Sequence, residues 1–440
     1  MVVQDTIEKV NYIVVGLGIT GLSVVRYLKA QQYSVMVVDS RKNTPGLAEL
    51  KALHPDVPVY LGGFWPDVLL RGECLVLSPG VPLSTPAIQA AIARDIPVIG
   101  DVELFARAVK KTQAKVIGIT GSNGKSTVTT LITQMLQACG FKAVMAGNIG
   151  VPLLSLPIGA YDFYVVELSS FQLDTTVSLR CDWGIILNIT ADHLDRYAGF
   201  EAYRQSKLRL LSQSTQFFYF SDASWLPPQI SISQVVLDVA GTTDAGWSLA
   251  QSAWCYQGTP LVRFEAAKLQ GLHNQFNVLA ALAIAHAAGG SPTRIAEVAK
   301  HAEGLAHRFE FIGTKNEVGF INDSKATNVG ATLAAIASAQ VLGRLILIVG
   351  GDAKGADLTP LKSAFAQVSA VIVYGKDADA LMALTQYGFL EKDLTAAVSR
   401  AALLANPHDT VLLSPACASL DMYPNFEVRG DHFRQCVAAL

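Results

Sequence analysis

The sequence predicts an α/β protein of three domains, each built on a doubly wound sheet. Three observations carry that expectation. Short apolar runs alternate with helix-patterned stretches along the whole chain, the pattern of βαβ units around a parallel sheet. Two glycine-rich loops each follow a strand-sized run and open a helix. The chain has 440 residues, which is roughly three domains' worth.

The elements follow in order. "NYIVVG" (11–16) reads as a strand ending in a glycine turn, and "LSVVRYLKAQQ" as the helix after it. "SVMVVD", "CLVLSPG" (74–80) and "IPVIG" (96–100) read as further strands, with "TPAIQAAIARD" as a helix between the last two. A second block opens at "AKVIGITG" (114–121) and continues into the helix "KSTVTTLITQMLQACG", which ends at a C-cap glycine, Gly140. "DFYVVE" and "WGIILN" are strands that each end in a polar residue. Roughly 215–265 is more strand-like and rich in Trp and Ser, and "NVLAALAIAHAAGG" is a helix. In the third block "GFIND", "LILIVGG", "AVIVYG" and "TVLLSP" alternate with alanine-rich helices. The expected boundaries are 1–103, 104–304 and 305–440. No short-period repeat is present.

Composition narrows the function classes. Hydrophobic residues make up 51% of the chain and charged residues 16%, which suits large buried cores. The formal net charge of −2 argues against a nucleic-acid or membrane-surface partner. No apolar run approaches the ~18–20 residues of a membrane span, and the N-terminus lacks the pattern of a signal peptide. The six cysteines form no C-x-x-C pair. Free thiols in a reducing cytoplasm are expected.

The first glycine loop, Gly16, Gly18 and Gly21, spells G-x-G-x-x-G between a strand and a helix, and Asp39 ends the next strand. Alone this reads as an NAD site, because the glycines let backbone N–H groups approach a diphosphate at a helix N-terminus. A UDP-sugar suits the same loop, and an empty tight turn in a Rossmann-like domain is the bland alternative. In the second loop, "VIGITGSNGKST" (116–127), the usual G-x-x-x-x-G-K-[ST] spacing fails, since Ile119 stands where the first glycine belongs. The physical parts are nevertheless intact. Gly121 and Gly124 permit positive φ and an anion nest. Lys125 supplies a point charge for β/γ-phosphates, and Ser126 or Thr127 a hydroxyl for Mg²⁺. Glu167 closes a neighbouring strand, and "TADHLDRY" (190–197) offers Asp192, His193 and Asp195 at a strand's C-terminal end, where α/β ligands bind. Lys207, on the amphipathic "YRQSKLRLL", reads from the residues alone as one solvated charge among several.

Assembled, these segments resemble the Mur ligases, ATP-dependent amide-bond-forming enzymes of peptidoglycan synthesis. "TGSNGKST" is similar to that family's version of the phosphate loop, T-G-[ST]-x-G-K-[ST]. "GLGITGLS", "LSPGVP", "AGNIG", "ELSSFQL", "NITADHLDRY", "HNQFN", "HRFE", "NDSKATN", "LIVGGDAKGADLTPL" and "LLSPACASLDMYPNFEVRG" fall in the family's order over the whole chain. The resemblance implies a Rossmann-like N-terminal domain for the UDP substrate, a central P-loop ATPase-like domain, and a Rossmann-like C-terminal domain for the incoming amino acid. It implies that Ile19, Thr20, Asp39, Ser40, Arg41 and Gly80 hold the UDP part, with Asn148 and His193 reaching the same substrate. ATP would meet Gly121, Ser122, Asn123, Gly124, Lys125, Ser126 and Thr127, and across a domain gap Asn277, Arg308, Asp323 and Lys325. Ser126, Glu167, His193 and a carbamylated Lys207 would serve two magnesium ions. Lys325, Thr327, Lys354, Ser419 and Phe426 would surround D-glutamate.

The implied substrates are UDP-N-acetylmuramoyl-L-alanine, D-glutamate and ATP, in a cytoplasmic monomer. Lys125, His193 and Lys207 stand closest to the chemistry. The alanyl carboxylate would attack the γ-phosphoryl group, and the amine of D-glutamate would then attack the acyl phosphate. Keeping water away requires the third domain to close on the second, with "EGLAHRFE" (303–310) as the hinge. A sibling ligase for another amino acid is the nearest rival. An NAD-dependent oxidoreductase leaves the phosphate loop unused, and a P-loop transport or motor ATPase leaves the C-terminal block unexplained. A non-enzymatic binding protein leaves three phosphate and metal features without a purpose. Cys417 lies near the glutamate residues but has no paired base to activate it.

Overall fold

The computed structural model describes residues 9–229, 231–242, 246–269, 271–339 and 341–440. Three large sheets, parallel or mainly parallel, follow one another along the chain, with a small antiparallel sheet beside the second. The first has five strands in the order Val59–Leu61, Val35–Asp39, Val10–Val15, Gly72–Leu77, Val98–Ile99, all parallel. The order reverses between Val10–Val15 and Gly72–Leu77, so Gly16 and Ser78 sit side by side at the switch point, where open α/β sheets bind ligands. The glycine loop is shaped by this crowding. Gly16 has φ +95°, and a Cβ on Gly21 would strike the Gly16 carbonyl. A Cβ on Gly18 would meet nothing within 4 Å, so that position faces open space.

The central sheet has six parallel strands in the order Ser233–Leu237, Ser214–Phe220, Cys181–Ile186, Lys115–Thr120, Phe163–Glu167, Ala143–Gly147. Its middle strands are apolar on both faces because helices cover both. The Trp-rich region is divided: its first part supplies Ser214–Phe220 and Ser233–Leu237 to the central sheet, and the rest forms a separate three-stranded antiparallel sheet, Trp247–Ala250, Ala253–Tyr256 and Thr259–Arg263. The third sheet departs from the expected all-parallel design. Glu310–Lys315 pairs antiparallel with Val318–Asn322 through a short turn at Asn316 and Glu317, both with positive φ. Four parallel strands follow, Thr410–Leu413, Leu345–Gly350, Ala370–Tyr374 and Gly388–Leu390.

The apolar cores show how the blocks are joined. One cluster runs without a break from Val14, Leu28 and Val76 through Val102 and Phe105 to Tyr164, Leu173 and Phe217. The helix Asp101–Val109 thus welds the first sheet to the central one. The third block keeps its own clusters, around Leu347, Val349 and Leu412 and around Phe320, Ile348 and Val411. Its prominent side-chain contacts with the central block are polar. Among the described residues no helix is long and apolar enough to cross a membrane, and all six cysteines are free thiols.

Candidate active site

The phosphate loop lies between the strand Lys115–Thr120 and the helix Lys125–Ala138. Gly124 takes φ +84°, where a Cβ would also collide with Asn277 Oδ1. Part of the expected nest is already committed. The Ser122 N–H donates to the Asn188 carbonyl at 3.0 Å, and the Asn123 N–H to Asn188 Oδ1 at 2.9 Å. The donors left for an anion are those of the following helix start, which has no side-chain cap. Asn188 opens the motif "NITADHLDRY" but was not singled out as a site residue, because its partner Asn123 lies 65 positions away in sequence.

Lys125 is folded over its own loop, donating from Nζ to the carbonyls of Gly121 at 2.9 Å and Ser122 at 3.0 Å. Burial lowers its pKa, and the nearby Glu167 carboxylate works against that shift. Glu167 accepts from Ser126 Oγ at 2.6 Å and from Asn148 Nδ2 at 2.8 Å. Burial pushes this carboxyl up, but Lys125 and the two hydrogen bonds outweigh it, so Glu167 ends below its ordinary value and is anionic. From the third block Arg308 Nη2 reaches Ser126 Oγ at 2.6 Å.

Lys207 is not a solvated charge. It is 2% exposed, and its Nζ donates to the Gly121 carbonyl at 2.8 Å. Burial, reinforced by Lys125, holds its pKa well below that of a free lysine. His193 has φ +55° and lies edge-on to Phe171, with ring centroids 4.9 Å apart. Burial brings it down to about 4, so at neutral pH it is the uncharged imidazole that ligates metals. Asp192, beside it, accepts from Lys354 Nζ at 2.5 Å and from Asn328 Nδ2 at 3.1 Å. Asn328 also pairs with Asn123. Asp192 and Asn328 fasten the third block to the central one, a role the sequence did not disclose.

On the third block's side, Lys325 Nζ stands 3.8 Å from the centroid of the Phe426 ring. Burial, with Arg308 and Lys125 near, brings this amine to about 7. Asp323 accepts from the Phe309 N–H and from Ser414 Oγ, and burial lifts it to about 7. The fully buried Arg429 donates to Ser324 and to the carbonyls of Gly350 and Cys417, tying together the loops that carry Lys325, Lys354 and Ser419. Cys417 is itself buried and pushed up to about 12, an unreactive thiol.

At the first sheet, Asp39 is held at about 2. Burial alone would raise it, but Arg41 and the Leu17 N–H hold it down. Its oxygens therefore fix the glycine loop and aim Arg41. Ile19, Thr20, Asp39, Ser40, Arg41 and Gly80 line one end of a cavity of about 970 Å³ that passes Ser126, Asn148 and Glu167 and ends at Arg308, Lys325 and Phe426. Ser122, Lys125, His193, Lys207, Thr327, Lys354 and Ser419 line an adjoining pocket of about 470 Å³. Asn123, Gly124, Thr127, Asn277 and Asp323 line a third, of about 360 Å³, which is more apolar and closed by Phe220, Phe276 and Phe309. Gly121 touches this centre through its carbonyl.

A phosphate loop facing cations from a second α/β block, with a diphosphate-type loop at the far end of the same cavity, defines a three-domain nucleotide-dependent ligase. Comparison with known proteins agrees. Residues 10–100 match the family described as Mur ligase MurD-like, N-terminal domain; residues 119–285 match the Mur ligase middle domain; residues 307–417 match the Mur ligase, glutamate ligase domain. The UDP-N-acetylmuramoylalanine–D-glutamate ligase of Shewanella violacea is 47% identical over 98% of this chain and 96% of its own length. That of Haemophilus influenzae strain Rd is 40% identical over 99% and 100%. The chain belongs to the Mur ligase family, in the branch of the UDP-N-acetylmuramoylalanine–D-glutamate ligases. Among solved structures, the UDP-N-acetylmuramate–alanine ligase of Thermotoga maritima shares the fold at TM-score 0.62 and 18% identity, covering 98% of this chain and 99% of that one. A pseudomurein peptide ligase type C from Methanothermus fervidus does so at 0.61 and 18%, with the same coverage.

Proposed function

We infer that this chain joins D-glutamate to UDP-N-acetylmuramoyl-L-alanine at the expense of ATP, with residues 1–103, 104–304 and 305–440 as its three working domains. The observation that carries the reading is the single cavity that begins at the first glycine loop and ends between the phosphate loop and Lys325. A substrate held by its diphosphate at Gly18 and Arg41 would present its far end, the alanyl carboxylate, beside Ser126 and Glu167. ATP would enter from the apolar pocket at Asn277, with its phosphates on the helix start at Lys125.

A carboxylate does not react with an amine at neutral pH. Transfer of the γ-phosphoryl group makes it an acyl phosphate, and attack by the amine of D-glutamate then expels phosphate. Phosphoryl transfer chiefly needs positioning and charge neutralisation. Lys125, Arg308 and Lys325 supply positive charge from both sides of the domain gap. D-Glutamate, a dianion, would sit against Lys354, Thr327 and Ser419, with Lys354 turning from Asp192 to the incoming carboxylate.

The residues also fit magnesium. One buried anionic carboxylate, Glu167, stands beside a hydroxyl, Ser126, with the neutral His193 lining the adjoining pocket. Among the described residues there is no group of three or more His, Cys, Asp or Glu side chains that could hold a metal. That sparse set suits an ion that keeps waters and substrate oxygens rather than a protein cage. Two bound ions would neutralise the phosphoryl oxygens. Lys207 would extend the set as a carbamate, since a buried neutral amine is the form that adds carbon dioxide. The test is phosphate release from ATP with UDP-N-acetylmuramoyl-L-alanine and each amino acid in turn. Release that depends on D-glutamate is expected. Release with another amino acid would move the pocket assignment, and none at all would sink the reading.

A further inference from the structure

Behind the Gly80 loop lies a feature that the reaction as described does not use. Arg196, in the "TADHLDRY" loop of the central domain, crosses to the first domain. Its Nη2 donates to the Pro79 carbonyl at 3.2 Å and its Nη1 to the Gly80 carbonyl at 3.3 Å. The guanidinium lies over the face of Phe171, 4.2 Å from the ring centroid. Phe171 is in turn stacked on Tyr197, at 5.8 Å and 10°, and meets His193 edge-on. No carboxylate forms an ion pair with Arg196 among the described residues, although Asp195 is its sequence neighbour. A half-buried guanidinium that takes main-chain carbonyls as partners, across a domain junction, is holding backbone.

The peptide plane says what that hold achieves. In a trans peptide the C=O and the next N–H point in opposite directions. With the Pro79 carbonyl drawn toward Arg196, the Gly80 N–H points away from it. Among the described residues that N–H has no acceptor. Arg196 lines a crevice of about 510 Å³ on one side of the loop, whereas Gly80 lines the large cavity on the other, and Pro79 borders both. A Cβ on Gly80 would meet nothing within 4 Å, so the space beyond it is open.

We propose that Arg196 is a positioning residue that pins the 78–81 loop to the central domain and turns the Gly80 N–H into the nucleotide cavity as a donor for the UDP part of the substrate. This rests on the ligase reading above. Arg196 does not line the cavity that would hold the UDP part. It acts through two carbonyls, and through Phe171 it ties the UDP end of the cavity to the His193 end.

The experiment compares the parent enzyme with Arg196→Met and Arg196→Lys. Methionine keeps the apolar stem over Phe171 and removes the donors. Lysine restores one. Loss of an aimed donor to an anionic ligand is worth about tenfold in affinity. In Arg196→Met, UDP binding by calorimetry and the KM for UDP-N-acetylmuramoyl-L-alanine should weaken by about that factor. The KM for ATP and kcat should stay within twofold, and Arg196→Lys should recover part of the loss. Hydrogen exchange in a peptide covering 77–83 should quicken several-fold in Arg196→Met, whether or not substrate is present. UDP affinity within twofold of the parent would overturn the proposal. So would equal losses for UDP and ATP, which mean general loosening. If the parent binds no UDP, the ligase reading fails first, and unchanged exchange at 77–83 would then remove the tether as well.

Discussion

Lys354→Met tests the contact that closes the third domain. Lys354 Nζ sits 2.5 Å from Asp192 Oδ1, with the two side chains 14% and 8% exposed. Removing one partner of a buried pair leaves the other uncompensated and costs about 3–5 kcal/mol. Here the low end applies, about 3 kcal/mol, because Asp192 keeps the Asn328 amide at 3.1 Å and the His193 N–H at 2.8 Å. At about 1.4 kcal/mol per tenfold, the ratio of open to closed molecules should rise roughly a hundredfold. Hydrogen exchange reads that ratio directly when reclosing is fast. Peptides covering 188–193 and 324–330, on either side of the contact, should exchange about a hundredfold faster. A peptide over Val10–Val15, in the welded first sheet, should keep the parent rate. Asp192→Asn should produce a similar change, and the double variant should be little worse than either single one. Unchanged exchange at 188–193 and 324–330 would refute the reasoning, and so would equal acceleration at Val10–Val15.

Further outcomes follow from single positions. Gly124→Ala forces a side chain into φ +84° and against Asn277, and should raise the KM for ATP at least ~10-fold; an unchanged KM would show that the loop tolerates a Cβ. Gly18→Ala meets nothing within 4 Å, so it should melt like the parent yet bind UDP more weakly; a lowered melting temperature would contradict the open space seen there. Lys325 titrates at about 7, so near pH 8 it is mostly neutral, and anionic nucleotide should raise its pKa and draw in a proton. Calorimetry in buffers of different ionisation enthalpy should show uptake approaching one proton, lost in Lys325→Met; uptake that survives the substitution assigns the proton elsewhere. Asp101 is fully buried and raised from 3.8 to about 6. Its folded pKa exceeds its unfolded one, so its contribution is full below about pH 4 and is lost as pH rises through 6. That amounts to about 3 kcal/mol at 1.36 per unit. Asp101→Asn should therefore gain stability on the parent between pH 4 and 7 in urea titrations, and a pH-independent difference would be the contrary result.

Much of this was legible in the chain because local chemistry dictates it. Gly16, Gly21 and Gly124 stand where backbone crowding or positive φ leaves no alternative, and the strands before them are unbroken apolar runs. The residues implied by family resemblance do converge on adjoining pockets. The antiparallel Glu310–Lys315 strand was missed because "EFIGTK" is half-exposed and lacks an apolar run. Asn188, Asn328 and Arg196 were missed for a different reason. Each acts through partners remote in sequence: Asn123 is 205 positions from Asn328, and Pro79 is 117 from Arg196. Polar loop residues carry no periodicity that could reveal such partners. Lys207 shows the same limit in reverse, since its helix pattern reads as solvated until the fold places the Gly121 carbonyl over its amine.

The dispersal of the site along the chain also bears on how the protein is made. Ribosomal synthesis makes the first and central blocks, whose apolar residues share one core, before it adds residue 307. At that stage the phosphate loop has Lys125 and Glu167 but neither Arg308 nor Lys325, and Asp192 has no Lys354 to meet. The half-made protein thus holds a nucleotide cradle with no opposing charge and no cover. An unfinished chain therefore lacks the cations that complete the charge around the phosphate loop, and the last third of the chain supplies them together with the facing wall of the pocket.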